Sequence, residues 1–175
     1  AQSSISGAHG DWDLNNGASG SKIVLFDNRD WNYTMTSGRY TVSSSQILAP
    51  VSAVKAEDFL ADIDPGIDGT VKLFDGQTQV TDEYAATGMT VVLYDRGGDQ
   101  LSQYSVAVKG DLNGDGVVNS SDVTEMQADV SGSKTFTGIY LKAGDLNGDG
   151  SITSADMTLL QALIDEYEDM PANTV

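Results

Sequence analysis

The sequence predicts an α+β chain: a small β-sheet domain with one packed helix, followed by an all-α domain built from a duplicated unit. Three observations carry this. Shifting the sequence by 34 residues lays 110–130 over 144–164, with twelve of the 21 positions identical. Ahead of that repeat, residues 70–74, 90–94 and 103–108 alternate or run apolar as strands do. Between 52 and 63 the period lengthens instead, so that Ala56, Phe59, Leu60 and Ile63 share one helical face.

Taken in order, residues 1–20 are rich in Ser, Gly, Asn and Asp without periodicity and read as a linker or tail. His9, the single histidine, sits there and reads as inert. The run Ile23-Val24-Leu25-Phe26 predicts a strand over 22–27, and 39–42 predicts a second, with Trp31 and Tyr33 in the polar loop between. The helix over 52–63 is stopped by Asp64-Pro65-Gly66, and Arg96-Gly97-Gly98-Asp99 forms the turn between the last two strands. This sheet module spans 21–109. Only Lys109 and Gly110 separate its last strand from Asp111. So short a connection predicts that it packs rigidly against the module at 110–168. Helices are expected over 120–130 and 154–166, with Phe136, Ile139, Tyr140 and Leu141 anchoring the bridge at 133–143, and 169–175 forms a tail.

Each repeat places oxygen-bearing side chains at loop positions 1, 3, 5, 9 and 12. These are Asp111, Asn113, Asp115, Asn119 and Asp122, then Asp145, Asn147, Asp149, Thr153 and Asp156. The spacing is that of a twelve-residue EF-hand-like loop. A hard cation of calcium size takes about six to eight oxygens. The backbone carbonyls of Val117 and Ser151, at position 7, add one oxygen to each set. Gly116 and Gly150 at position 6 permit the sharp reversal. Val118 and Ile152 at position 8 point away from the ion, where the two loops can pair and bury them. Two Ca²⁺ ions are expected, one per loop.

Composition narrows the function. The net charge is −17, with 26 acidic residues against nine basic. That balance disfavours nucleic acid and anionic membrane surfaces as partners. No cysteine is present, so disulfides and thiolate metal sites are excluded. No apolar run is long enough to insert in a membrane, and no signal peptide is visible. The chain reads as a piece from the C-terminal end of a larger exported protein. The loop carboxylates are committed to metal, and no nucleophile elbow, histidine site or phosphate loop appears, so it is not read as an enzyme.

The second repeat helix differs from the first. Val123, Met126 and Val130 form a core stripe on one; Met157, Leu160 and Ile164 do so on the other. Off the stripe, Glu125 and Asp129 in the first repeat become Leu159 and Leu163 in the second, flanked by Ala155 and Ala162. A helix apolar nearly all round is normally covered on both sides.

The duplicated Gly-Asp-Leu-Asn-Gly-Asp-Gly pattern, closed by Asp, resembles a dockerin over residues 110–166. More loosely, the sheet module resembles the X-type accessory modules that precede some dockerins, through Thr87-Gly88-Met89-Thr90-Val91 and 104–110. The resemblance implies a calcium-dependent, non-catalytic module. Its partner would be a cohesin domain of a scaffold or cell-surface protein. The parent protein would then be secreted and held at the cell surface in a cellulosome-like assembly for polysaccharide degradation. The cohesin is expected on Ala155, Leu159, Ala162 and Leu163. In the family, loop positions 10 and 11 often set partner choice, and here they are Ser120-Ser121 and Ser154-Ala155. At positions 17 and 18, where several related modules carry basic residues, this chain has Gln127-Ala128 and Gln161-Ala162, a departure from the commonest specificity class. The unlike charges of the two helices predict one dominant binding orientation, through the second repeat. An alternative function lies in the sheet module: direct polysaccharide binding by Trp12, Trp31, Tyr33 and Tyr40.

Overall fold

The computed structural model describes residues 34–50, 53–66 and 68–168. The predicted strand at 22–27, both terminal tails, His9, Trp12, Trp31 and Tyr33 lie outside the described residues. Alternation along the described strands builds a six-stranded sheet. Its elements are β2 (Thr41–Val42), β3 (Gln46–Ala49), β5 (Thr70–Asp75), β6 (Thr78–Val80), β7 (Thr90–Tyr94) and β8 (Gln100–Val108). They lie in the order β2-β3-β8-β7-β5-β6, antiparallel except for the β3/β8 pair, which aligns Ile47 with Val106 and Ala49 with Val108. A separate two-stranded ladder joins β1 (Thr36–Ser37) to β4 (Ile63–Asp64).

The sequence expectation places β5, β7 and β8 well and the rest less well. The strand expected over 39–42 shrinks to Thr41–Val42. Strands β1, β3, β4 and β6 have two to four residues each, too few for a periodic signal, and β3 finds its parallel partner nearly 60 residues away. The helix expected over 52–63 is α1 (Ala56–Ala61). It ends early because Ile63 and Asp64 pair with β1. Its apolar face is the predicted one: Ala56, Phe59 and Ile63 are buried and Leu60 packs against them. They meet Ile47, Leu73, Val91, Leu93, Val106 and Val108 from the sheet. Tyr40 closes this core with its ring centroid 4.7 Å from that of Phe59.

β8 runs directly into the first loop. Helix α2 (Ser120–Val130) follows, then α3 (Gly138–Gly144), the second loop and α4 (Ser154–Glu168). The predicted 120–130 helix is matched, and α3 is an addition within the expected bridge. The first loop is therefore entered from a strand and the second from a helix, so the two units are duplicated in loop and exit helix only. Leu112, Met126, Phe136, Ile152, Leu160 and Ile164 form a second buried cluster, with Val118, Val123, Tyr140, Leu141 and Met157 packed on it. Val118 and Ile152 thus turn inward as expected, but among the described residues no backbone bridge joins them. Val130, expected on the core stripe, is 39% exposed. The halves are stitched where they meet: Lys109 N–H donates to Ala49 O at 3.0 Å, and Gly110 N–H to Ala143 O at 2.9 Å.

Candidate functional site

Each loop is wound around its own aspartates. In the first, Asp111 Oδ1 accepts the N–H groups of Gly114 and Asp115, and Oδ2 accepts those of Gly116 and Thr87. Asp115 Oδ1 accepts from Val117 N–H, and its Oδ2 from the Asn113 amide. Asp122 reaches back from the first turn of α2. Its Oδ1 accepts Leu112 and Asn113 N–H at 2.9 and 3.1 Å, and its Oδ2 accepts Asn119 N–H at 2.9 Å. Asn119 is the N-cap of α2 and accepts Ser121 N–H in return, a reciprocal cap.

The second loop repeats the plan. Asp145 accepts from Gly148 and Gly150, Asp149 from Ser151 and the Asn147 amide, and Asp156 from Leu146, Asn147 and Thr153. Thr153 Oγ1 accepts Ala155 N–H at 3.2 Å. The position-9 side chains, Asn119 and Thr153, are therefore committed to helix starts. A role for them at a cation would run through a water, as position 9 often does.

Burial decides the electrostatics. Asp111, Asp122 and Asp156 are fully buried and Asp145 is 7% exposed. The ion pairs of the described residues join Arg39 to Asp62, Arg96 to Asp68 and Lys134 to Glu125, and none reaches these four carboxylates. Withdrawing a carboxylate from water without a countercharge costs several kcal/mol. Burial accordingly pushes the Asp111 carboxyl above its ordinary value against the N–H donors of Thr87, Gly114 and Gly116, and the charge of Asp122 adds to the rise. Burial raises Asp122 likewise, with Asp115 contributing. For Asp156 burial is again the largest single influence, yet donation from Asn147, Thr153 and Leu146 together outweighs it and the carboxyl is lowered.

The donor set is all oxygen, which suits a hard divalent cation. Among the described residues no three acidic or histidine side chains converge tightly enough to hold a metal unaided. Any cation here must take further oxygens from Asn113, Asn147, the Val117 and Ser151 carbonyls, or water. With that sharing the residues fit calcium: it would supply the missing positive charge and draw the loop oxygens to one centre.

The proposed partner-binding residues lie on α2 and α4. Ser120, Ser121, Gln127, Ser154, Ala155, Leu159, Gln161 and Ala162 are exposed, and Leu163 is half-buried. Leu159, at 43%, is the most exposed large apolar side chain of the described residues. A groove lined by Val123, Met157, Thr158, Gln161, Ala162 and Asp165 takes in two of the proposed residues, Gln161 and Ala162, but not Leu159. Sequence reasoning gave Tyr84 and Thr87 no part in the first loop and Tyr140 only an anchoring part in the bridge; all three press on that loop. The small-residue run Ala85-Ala86-Thr87-Gly88 was the available signal of a close backbone approach.

No curated protein and no solved structure matches the chain. Residues 109–165, about a third of its length, match the dockerin type I domain, a family of non-catalytic modules that bind calcium and dock onto cohesin domains.

Proposed function

We propose that residues 109–165 plug a larger protein into a cellulosome-like multienzyme assembly for polysaccharide degradation, by binding a cohesin of a scaffold or cell-surface protein. Proteins with such a domain are typically extracellular or cell-surface components. In this reading two Ca²⁺ ions are bound. Asp111, Asn113, Asp115, Val117, Asn119 and Asp122 hold one; Asp145, Asn147, Asp149, Ser151, Thr153 and Asp156 hold the other. The observation that carries it is the pair of buried carboxylates at the ends of each loop, with no basic side chain among the described residues to neutralise them. Neutralising them fixes the loop, and the loop fixes the angle at which α2 and α4 leave it.

The cohesin sits on Ala155, Leu159, Ala162 and Leu163, with Ser120, Ser121, Ser154, Gln127 and Gln161 around them. Full burial of a leucine contributes about 1.5–3 kcal/mol. Because Leu163 is already half-buried and Leu159 is 43% exposed, the pair contributes about half of the full value before association costs. Polar contacts from the serines and glutamines must therefore carry much of the affinity. The sheet at 21–109 serves as an X-like accessory module. Direct sugar binding gains no support from Tyr40, which is 4% exposed and stacked against Phe59.

Titration calorimetry of the chain against a panel of cohesins, with calcium and then with chelator, tests this. Binding to at least one cohesin is expected, weakened at least a hundredfold by chelation. Equal affinity with and without calcium would overturn the reading, as would no binding across the panel.

A further inference from the structure

The two loops share a sequence but not a setting. Thr87, from the segment leading into β7, donates its backbone N–H to Asp111 Oδ2 at 2.8 Å. Its hydroxyl exchanges hydrogen bonds with the backbone of Val108, at the end of β8. Tyr140 of α3 donates its hydroxyl to Thr87 O at 3.3 Å. This segment and Tyr140 stand against the turn of the first loop. A Cβ on Gly114 would lie 3.0 Å from both Thr87 O and Tyr140 Oη, and one on Gly116 would lie 2.7 Å from Tyr84 Cβ. At Gly148 and Gly150, the matching positions of the second loop, a Cβ would meet nothing within 4 Å. The residues between Asn147 and Ser151 are exposed throughout. The sheet half reaches the second loop by Lys109, whose ammonium donates to Leu146 O at 3.3 Å.

We infer that the sheet, through Tyr84–Thr87 and with Tyr140 alongside, holds the first loop in its folded shape, so that the two repeats part company as calcium falls. The first keeps its structure at concentrations where the second has opened. A loop already ordered by its surroundings loses less conformational freedom on taking the ion, and so binds it more tightly. This rests on the metal-binding reading of both loops.

Hydrogen exchange of the full chain in calcium buffers, read by mass spectrometry on peptides covering 110–120 and 144–154, tests it. The second loop is expected to lose protection at a free calcium at least tenfold higher than the first. Gly114 and Gly148 have nearly equal φ, +78° and +80°, so alanine strains the backbone alike at both and meets neighbours only at 114. Gly114→Ala should raise the first-loop midpoint toward the second; Gly148→Ala should leave the first-loop midpoint in place. Should Gly114→Ala not fold, Tyr140→Phe removes one contact without added bulk and should raise the first-loop midpoint at least twofold. A common midpoint in the wild type, an earlier opening of the first loop, or a first-loop midpoint indifferent to these changes would overturn the inference. Exchange at both loops that ignores calcium would overturn the metal reading as well.

Discussion

Asp122 Oδ1 accepts the backbone N–H of Leu112 at 2.9 Å across ten residues of chain. Asp156 does the same for Leu146 at 3.0 Å. Each closing aspartate therefore ties the exit helix to the start of its loop.

Asp122→Ala strips the N–H groups of Leu112, Asn113 and Asn119 of their acceptor. A buried donor left unsatisfied costs about 1–3 kcal/mol. With Leu112 buried, a loss on the order of 3 kcal/mol in urea unfolding at saturating calcium is expected. Glu166→Ala, at an exposed position, should change stability by about 0.5 kcal/mol or less. Similar values for the two would remove Asp122 from its closing role.

Calcium removal should melt the helix pair. A ligand at a hundred times its dissociation constant contributes about 2.7 kcal/mol. In a unit this small, that corresponds to about 10 °C or more in thermal midpoint. Far-ultraviolet circular dichroism of α2 and α4 with excess chelator is the measurement. An unchanged melting curve would separate folding from metal.

Leu159→Asp should weaken cohesin binding at least tenfold while leaving the helical spectrum unchanged, because the side chain is exposed and supports no core. Glu125 is already engaged by Lys134. Glu125→Arg should therefore alter affinity less than about threefold, as expected of a partly exposed charge. Equal losses would show that both repeats meet the partner.

Alkaline stability depends on Tyr40. Burial, then the hydrogen bond to Asp62 and its charge, push the Tyr40 hydroxyl up from 10.0 to about 12. Between those values the folded protein keeps a proton that the unfolded chain has released, so stability must fall as pH rises through the window. The contribution is fully present below pH 10 and gone above about 12. Tyr40→Phe should show a shallower decline of urea midpoint between pH 10 and 12. An equally steep decline would assign the alkaline transition elsewhere.

What the sequence made legible was local. The loop aspartates and glycines obey a spacing set within twelve residues, and 120–130 is helical because its N-cap Asn119 and its apolar stripe lie side by side in sequence. β7 is legible from Val91, Val92 and Leu93 alone. What stayed hidden was relational. β3 shows only Ile47-Leu48-Ala49, and its partner strand is parallel, so no turn announces the pairing. α3 begins at a glycine and spans only seven residues. The pressure of Thr87 on Asp111 joins positions 24 apart, and no periodicity reports it. The C-terminal half was accordingly readable as two equal repeats, and only tertiary contacts distinguish them.

The hydrogen bond from Tyr140 to Thr87 spans 53 residues, and every strand of the sheet precedes residue 109. Since chains emerge from the ribosome amino end first, and domains tend to fold as they appear, the surface that receives the first loop is expected to be assembled before translation has delivered Tyr140. Nascent chains stalled just beyond residue 109 on a neutral spacer should already resist proteolysis across β5, β7 and β8. Rapid cleavage there would mean that the order of synthesis gives the receiving surface no head start.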